Sequence, residues 1–173
     1  MNPKFLIIGH AGHGKDTVCE LLQKHGNLQF CSSSLAAVDL GVFDVIIKEY
    51  LSDSNLPLST LRSQLYSAKN NFRKEMFDAI QEYNRQDKTR LAANVLADSD
   101  IYCGMRSREE FQACKDKGLF NLVIWVDASL RKAAEPKTSN QLLKYDADII
   151  ISNDGTLKEL EDKVIALCAI LFR

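Results

Sequence analysis

Phe5-Leu6-Ile7-Ile8-Gly9-His10-Ala11-Gly12-His13-Gly14-Lys15-Asp16-Thr17 is the stretch that decides the architecture of this chain. Four consecutive apolar residues closed by a glycine fit a short strand buried on both faces, as in a parallel sheet. Glycines at 9, 12 and 14 permit positive φ and let successive backbone N–H groups turn toward one anion. Thr17 to His25 then reads as a helix ended near Gly26. The spacing satisfies G-x-x-x-x-G-K in the strand, turn, helix context that a phosphate-binding loop requires. The helix N-terminus adds partial positive charge, and Lys15 adds a full one. The hydroxyl that usually follows the lysine and holds Mg²⁺ is replaced by Asp16, with Thr17 one position later. The pattern therefore predicts Thr17 on a phosphate, and Asp16 either acting on the metal through water or orienting the loop. His10 and His13 fit a loop wrapped around phosphates better than a metal pair, because they lack the usual ligand spacing.

Working outward, a second strand is predicted at Leu28 to Cys31, followed by helical periodicity from Leu35 through Leu51. Leu58 to Leu96 has no strand-like run and places Phe72, Met76, Ile80 and Tyr83 at helical spacing, which predicts two or three helices. Asp100 to Cys103 and Leu119 to Val126 read as buried strands with a helix from Ser107 to Lys117 between them. Ile149 to Ile151 reads as a last strand and Thr156 to Phe172 as a last helix. Alternation of this kind implies an α/β fold: a five-stranded, mainly parallel sheet with right-handed crossovers and helices on both faces. Together with the loop motif it gives a three-layer α/β/α P-loop NTPase fold, read as a single domain over 1–173. Its core covers about 1–56 and 98–173, and its helical insertion about 57–97. Ligands in such sheets bind outside the carboxyl ends of the strands.

Composition narrows the function classes. The chain has 173 residues, with 22 Lys plus Arg against 23 Asp plus Glu, a formal net charge of −1. Sequence-independent nucleic-acid binding needs a basic excess, so no nucleic-acid partner is expected. The amino terminus lacks an export-type apolar run, and the longest apolar stretch, Val164 to Phe172, is far shorter than the roughly 20 residues needed to span a bilayer as a helix. Five scattered cysteines without a C-x-x-C pair argue against a disulfide framework or a zinc site. These features lead us to expect a cytoplasmic protein with no membrane partner. A homodimer is compatible with the sequence but is not specified by it.

A phosphate-binding loop defines a nucleotide site and leaves the reaction open. Phosphoryl transfer needs cations around the moving group and around the acceptor. Three clusters qualify: Arg73 and Lys74 in the helical segment, Arg106 and Arg108 after the third strand, and Arg131 and Lys132 after the fourth.

The loop with its G-K-D-T ending, the helix around Phe72-Arg73, the stretch Ile101-Tyr102-Cys103-Gly104-Met105-Arg106-Ser107-Arg108-Glu109-Glu110-Phe111 and the tail Asp148 to Leu157 together resemble the phage-type deoxynucleoside monophosphate kinases. The resemblance implies ATP with Mg²⁺ as donor system, a nucleoside monophosphate as acceptor, small-molecule nucleotides as partners, and the host cytoplasm as location if the gene is phage-borne. It implies that Gly9, His10, Ala11, Gly12, His13, Gly14, Lys15, Asp16 and Thr17 hold the ATP phosphates, and that Asn153, Asp154 and Gly155 meet the adenine. Lys15, Arg106 and Arg131 would be catalytic, with Arg131 opening a short lid at about 129–145. Arg106, Arg73 and Arg108 would contact the acceptor, with Ser32 and Ser34 on its nucleoside, and Asp16 with Thr17 would serve the metal. The family's third strand runs into Asp-x-Arg, whereas this chain has Gly104 at the aspartate's place; Asp16, Asp98 or Asp100 is then the expected substitute. Two other readings stay open on the sequence: a kinase for another small phosphorylated acceptor, such as a dephospho-coenzyme A-like compound, and a P-loop nucleotide-binding module without transfer.

Overall fold

The computed structural model describes residues 3–50 and 55–172. The strands are β1 (Phe5–Ile8), β2 (Phe30–Ser32), β3 (Ile101–Cys103), β4 (Leu122–Asp127) and β5 (Ile149–Ser152). The helices are α1 (Lys15–Gly26), α2 (Ser33–Asp39), α3 (Asp44–Tyr50), α4 (Leu58–Ser67), α5 (Arg73–Tyr83), α6 (Arg90–Asp98), α7 (Arg108–Asp116) and α8 (Leu157–Leu171). A 3₁₀ turn, Lys144–Asp146, precedes β5.

The sheet order is β2-β3-β1-β4-β5, and every pairing is parallel. Alternate side chains feed two separate cores, as the two-residue strand period requires. Phe5, Ile7, Ile101, Cys103, Ile124 and Val126 pack with α1 and α8, while Leu6, Ile8, Tyr102, Val123 and Trp125 pack with the opposite helices. This is the three-layer α/β/α arrangement. A parallel sheet brings the ends of β1, β3, β4 and β5 to one edge. The crossover after β1 runs to β2 on one side and that after β3 runs to β4 on the other, so a crevice opens beyond the ends of β1 and β3.

Several boundaries differ from the sequence expectation for local reasons. The helix predicted over Leu35 to Leu51 is two helices, because Gly41 takes φ +70° and ends the first; Leu51 lies outside the described residues. A bidentate Arg62–Asp44 pair, at 2.9 and 2.6 Å, ties α3 to α4. β2 starts at Phe30, not Leu28, since Leu28 is buried in the core and pairing with β3 begins at Phe30. β4 starts at Leu122, not Leu119: the Leu119 amide donates to Cys114 O and completes the turn that ends α7. The 58–96 segment forms three helices. Among the described residues, no helix is long and apolar enough to cross a membrane.

Candidate functional site

The loop between β1 and α1 takes the conformation that its glycines predict. Gly9 sits at φ +147°, where a Cβ would come within 2.5 Å of Val126 O, so only glycine lets β1 and β4 stay this close. Gly14, at φ +89°, forms the left-handed N-cap of α1. Lys15 folds back over the loop, and its Nζ donates to Gly9 O at 3.0 Å and His10 O at 2.8 Å. Desolvation lowers the pKa of this ammonium, with the Cys103 thiol acting in the opposite direction.

Chain contacts brace the loop from behind. His13 is buried: its Nδ1 accepts from Ala128 N at 3.0 Å, which leaves Nε2 to donate to Lys132 O at 3.2 Å. His10 Nδ1 accepts from Glu135 N at 3.2 Å, and its ring meets Trp125 edge-on. Both rings are therefore engaged by the segment after β4, and what they supply to the loop is its shape. Asn153 plays a similar part, with Nδ2 donating to His13 O at 2.9 Å from a buried side chain. Asp154 Oδ1 accepts from Leu130 N at 3.0 Å, and Arg131 donates to Asn153 O, so the loops after β4 and β5 are clasped together. Gly155 lies under the Glu159 side chain at the start of α8.

In front of the loop lies a cavity of about 300 Å³. Ala11, Gly12, Lys15, Asp16, Ser32, Ser34, Arg73 and Arg106 line it, which brings together eight of the residues expected from the sequence. Arg108 and Arg131 do not line it. Arg108 instead pairs with Asp146, with Nη2 2.7 Å from Oδ2, and braces the 3₁₀ turn. Next to the exposed Arg131, the Lys132 side chain lies against Gly12, where an added Cβ would fall 2.9 Å from its Cε. Lys132 is thus the cation that this segment brings to the loop.

Two groups that the sequence did not single out shape the site. The first is Glu135, whose side chain is only 9% exposed. Its Oε2 accepts from Ala11 N at 2.6 Å, and its Oε1 accepts from Arg106 Nη1 at 2.6 Å and from Arg73 Nη1 at 3.1 Å. Burial would raise its pKa, but Arg106, the Ala11 amide and Arg73 together hold it below the usual carboxylate range. Desolvation and the neighbouring Arg106 charge lower the pKa of Arg73. One carboxylate thus occupies a cage made of a loop amide and two guanidiniums.

The second is Glu110, buried at 2% exposure on the inner face of α7 and lining the same cavity. Tyr102 OH donates to its Oε1 at 3.0 Å. Desolvation pushes its pKa up to about 7 against the pull of Tyr102 and Asn84. The Asn84 amide lies beside this carboxylate, yet its buried Nδ2 has no hydrogen bond of normal geometry. The helical phase was the available signal, because Glu110 shares the buried face of α7 with Phe111 and Cys114.

Gly104 is explained by its backbone. It stands at φ +97°, and a Cβ there would lie 3.1 Å from Ser33 Oγ, which donates to Gly104 O. An aspartate does not suit that conformation. Asp100 sits at the opposite end of β3, bonded to Lys4 and to Gln29 N. Asp98 is exposed at the end of α6. Of Asp16, Asp98 and Asp100, only Asp16 lines the cavity.

No family model and no curated protein matches the chain. Solved structures with a similar fold include TT1252 from Thermus thermophilus, at 17% identity and TM-score 0.50 over the whole of both chains. A sugar kinase from Janibacter sp. aligns at 12% identity and TM-score 0.47 over 99% of this chain and 96% of its own. Shikimate kinase from Aquifex aeolicus aligns at 14% identity and TM-score 0.45 over 96% of each chain. At these identities the likeness speaks to the fold alone.

Proposed function

We propose that the protein transfers the γ-phosphoryl group of ATP to a small acceptor that itself carries a phosphate, a nucleoside or deoxynucleoside monophosphate. The observation that carries this reading is the cage around Glu135. Arg73 and Arg106 come from different elements, yet they converge on one carboxylate beside the loop amide of Ala11. An acceptor hydroxyl has no need of two guanidiniums. A monophosphate dianion does, and Arg binds such groups through matched pairs of N–H donors.

In this reading the loop amides and Lys15 hold the donor phosphates, while Arg73 and Arg106 hold the acceptor phosphate in line with them. Lys15 then neutralises charge that builds on the transferring group, where fixed cations contribute most. Asp16 is exposed in the first turn of α1 with Thr17 beside it, and this pair fits Mg²⁺, which takes one or two protein ligands along with phosphates and waters. Among the described residues, no group of three or more His, Cys, Asp or Glu could hold a metal. When bound there, the metal would supply positive charge against the donor phosphates. Lys132 and Arg131 belong to the segment that closes over the loop, with Ser32 and Ser34 toward the acceptor's sugar. The loop after β5 lies toward the adenine.

A coupled assay with ATP, Mg²⁺ and each common nucleoside and deoxynucleoside monophosphate tests the proposal. ADP formation that depends on one or more of them is the expected result. ATP consumption indifferent to every phosphorylated acceptor would refute it.

A further inference from the structure

The helix α5 runs along the cavity like a ruler. Arg73, Met76, Phe77, Ile80 and Gln81 all line it, and their spacing of i, i+3, i+4, i+7 and i+8 is one face of a helix. Arg73 and Gln81 are therefore about 12 Å apart along the axis, at about 1.5 Å of rise per residue. The face reads cation, apolar, apolar, apolar, amide. Phosphate, sugar and base laid end to end present the same order of demands.

The far end of that face is polar in an organised way. Ser107 OH donates to Gln81 Oε1 at 3.2 Å, and Ser107 Oγ accepts from Glu110 N at 3.4 Å, which fixes the Gln81 amide beside the α7 terminus. Glu110 adds its carboxyl to the same wall, with Tyr102 OH on one oxygen. A carboxylate has two oxygens and about four acceptor positions, so this hydroxyl and the nearby Asn84 amide leave acceptor capacity unused. Phe43, Met76, Phe77 and Ile80 provide apolar surface next to it. Such a combination of an apolar slot with a few fixed polar groups is how small-ligand sites orient a flat ring.

We infer that Glu110, with Gln81 beside it, is the specificity-determining pair of the site, reading the hydrogen-bonding edge of a planar nitrogen heterocycle carried by the acceptor. Glu110 accepts from a ring N–H or exocyclic amino group, and Gln81 donates to the neighbouring ring nitrogen or carbonyl. The inference rests on the function proposed above and adds the part of the acceptor that decides which nucleotide is used. The competing role, a buried tie between β3 and α7 through Tyr102, predicts a different kinetic signature.

The test is Glu110→Gln, which keeps size and replaces one acceptor oxygen by a donor. Wild type and variant are compared on monophosphates of adenosine, guanosine, cytidine and thymidine, and on ribose 5-phosphate, which has the phosphate and sugar without a base. Kinetic constants are measured for acceptor and ATP separately. At pH 8, where most of the Glu110 carboxyl is ionised, loss of a charge-assisted hydrogen bond and its replacement by a mismatched donor should change the ratio of kcat/KM between the best and worst bases by roughly 10- to 100-fold. The change is expected in the acceptor KM, with the KM for ATP within about twofold and no effect on ribose 5-phosphate. Gln81→Ala, at a half-buried position, should flatten the same ratio and serves if Glu110→Gln folds poorly. An equal loss across all bases, or unchanged ratios in both variants, would overturn the assignment. Wild-type silence toward every acceptor would instead refute the proposed reaction, so the two failures are distinguishable.

Discussion

Replacing Glu135 by Gln isolates the charge that fills the cation cage. In the structure its carboxylate holds three contacts, at 2.6 Å to Ala11 N, 2.6 Å to Arg106 and 3.1 Å to Arg73, from a side chain that is 9% exposed. The donors are those assigned to substrate phosphates, so a ligand must first displace the carboxylate. Charge-assisted hydrogen bonds are about twice as strong as neutral ones, at about 1.5–3 kcal/mol each to a charged group. Glutamine keeps an acceptor oxygen but loses the charge, and halving even one of these contacts weakens the closed state by about 1.4 kcal/mol, a lower bound for the three. The apparent affinity for an anion that needs the open cage then rises about tenfold, since affinity scales with the fraction of open molecules. Titration calorimetry with pyrophosphate, a probe that needs only the loop and the cations, measures this directly. Tenfold weaker binding in the variant would show that Glu135 builds the site by aligning the arginines, and equal affinity would show that it lies off the anion's path. Either result would rule out a carboxylate that competes with the anion.

Other expectations follow from named contacts. Lys15→Ala should cut kcat by at least about 10²-fold, the usual loss when one preorganised donor to developing charge is removed, and retention of wild-type turnover would count against the loop reading. Gly104→Asp should lower unfolding stability by about 1–2 kcal/mol, because a side chain is strained at positive φ, whereas an unchanged denaturation midpoint would show that the turn relaxes. Burial pushes the Glu110 carboxyl up to about 7 from 4.5, so the unfolded chain releases this proton first as pH rises. The stability it contributes is present below the unfolded value and is lost as pH climbs through the folded one, by about 3 kcal/mol in total. The titratable neighbours Tyr102 and Cys114 keep their protons across that window, Tyr102 being raised by burial and Cys114 pushed up to about 12 for the same reason. Denaturant unfolding at pH 5 and pH 8 should show the fall in wild type and a smaller one in Glu110→Gln; equal slopes would be contrary evidence.

The parts of the molecule legible in the sequence are those whose information is local. The loop at Gly9 to Thr17 carries its own spacing, and the runs at Phe5, Ile101, Val123 and Ile149 mark a buried parallel sheet without reference to anything distant. Boundaries shifted where a distant partner decides them, as at Leu28, which is claimed by the core before β2 begins. Arg106 was reachable as a cation near a strand end, and Arg73 as a cation of the helical segment. Their meeting point was not, because Glu135 comes from a stretch with no periodicity and its role exists only once three segments converge. His13 and Asn153 illustrate the opposite case. Their positions beside the phosphate loop were legible, but their side chains face the chain behind it, a direction set by Ala128, Lys132 and the loop's own carbonyls. Glu110 was hidden in a charged run, Arg-Glu-Glu, and only the phase of α7 separates it from the exposed Glu109.

In the proposed reaction this cavity holds two phosphorylated ligands, one on the loop and one on the arginines. Steady-state kinetics of Arg106→Ala with the best nucleoside monophosphate acceptor test it most directly. The acceptor KM should rise at least about tenfold, the cost of one lost charge-assisted contact, with the KM for ATP within about twofold. Unchanged constants for the acceptor, or a loss confined to ATP, would contradict it.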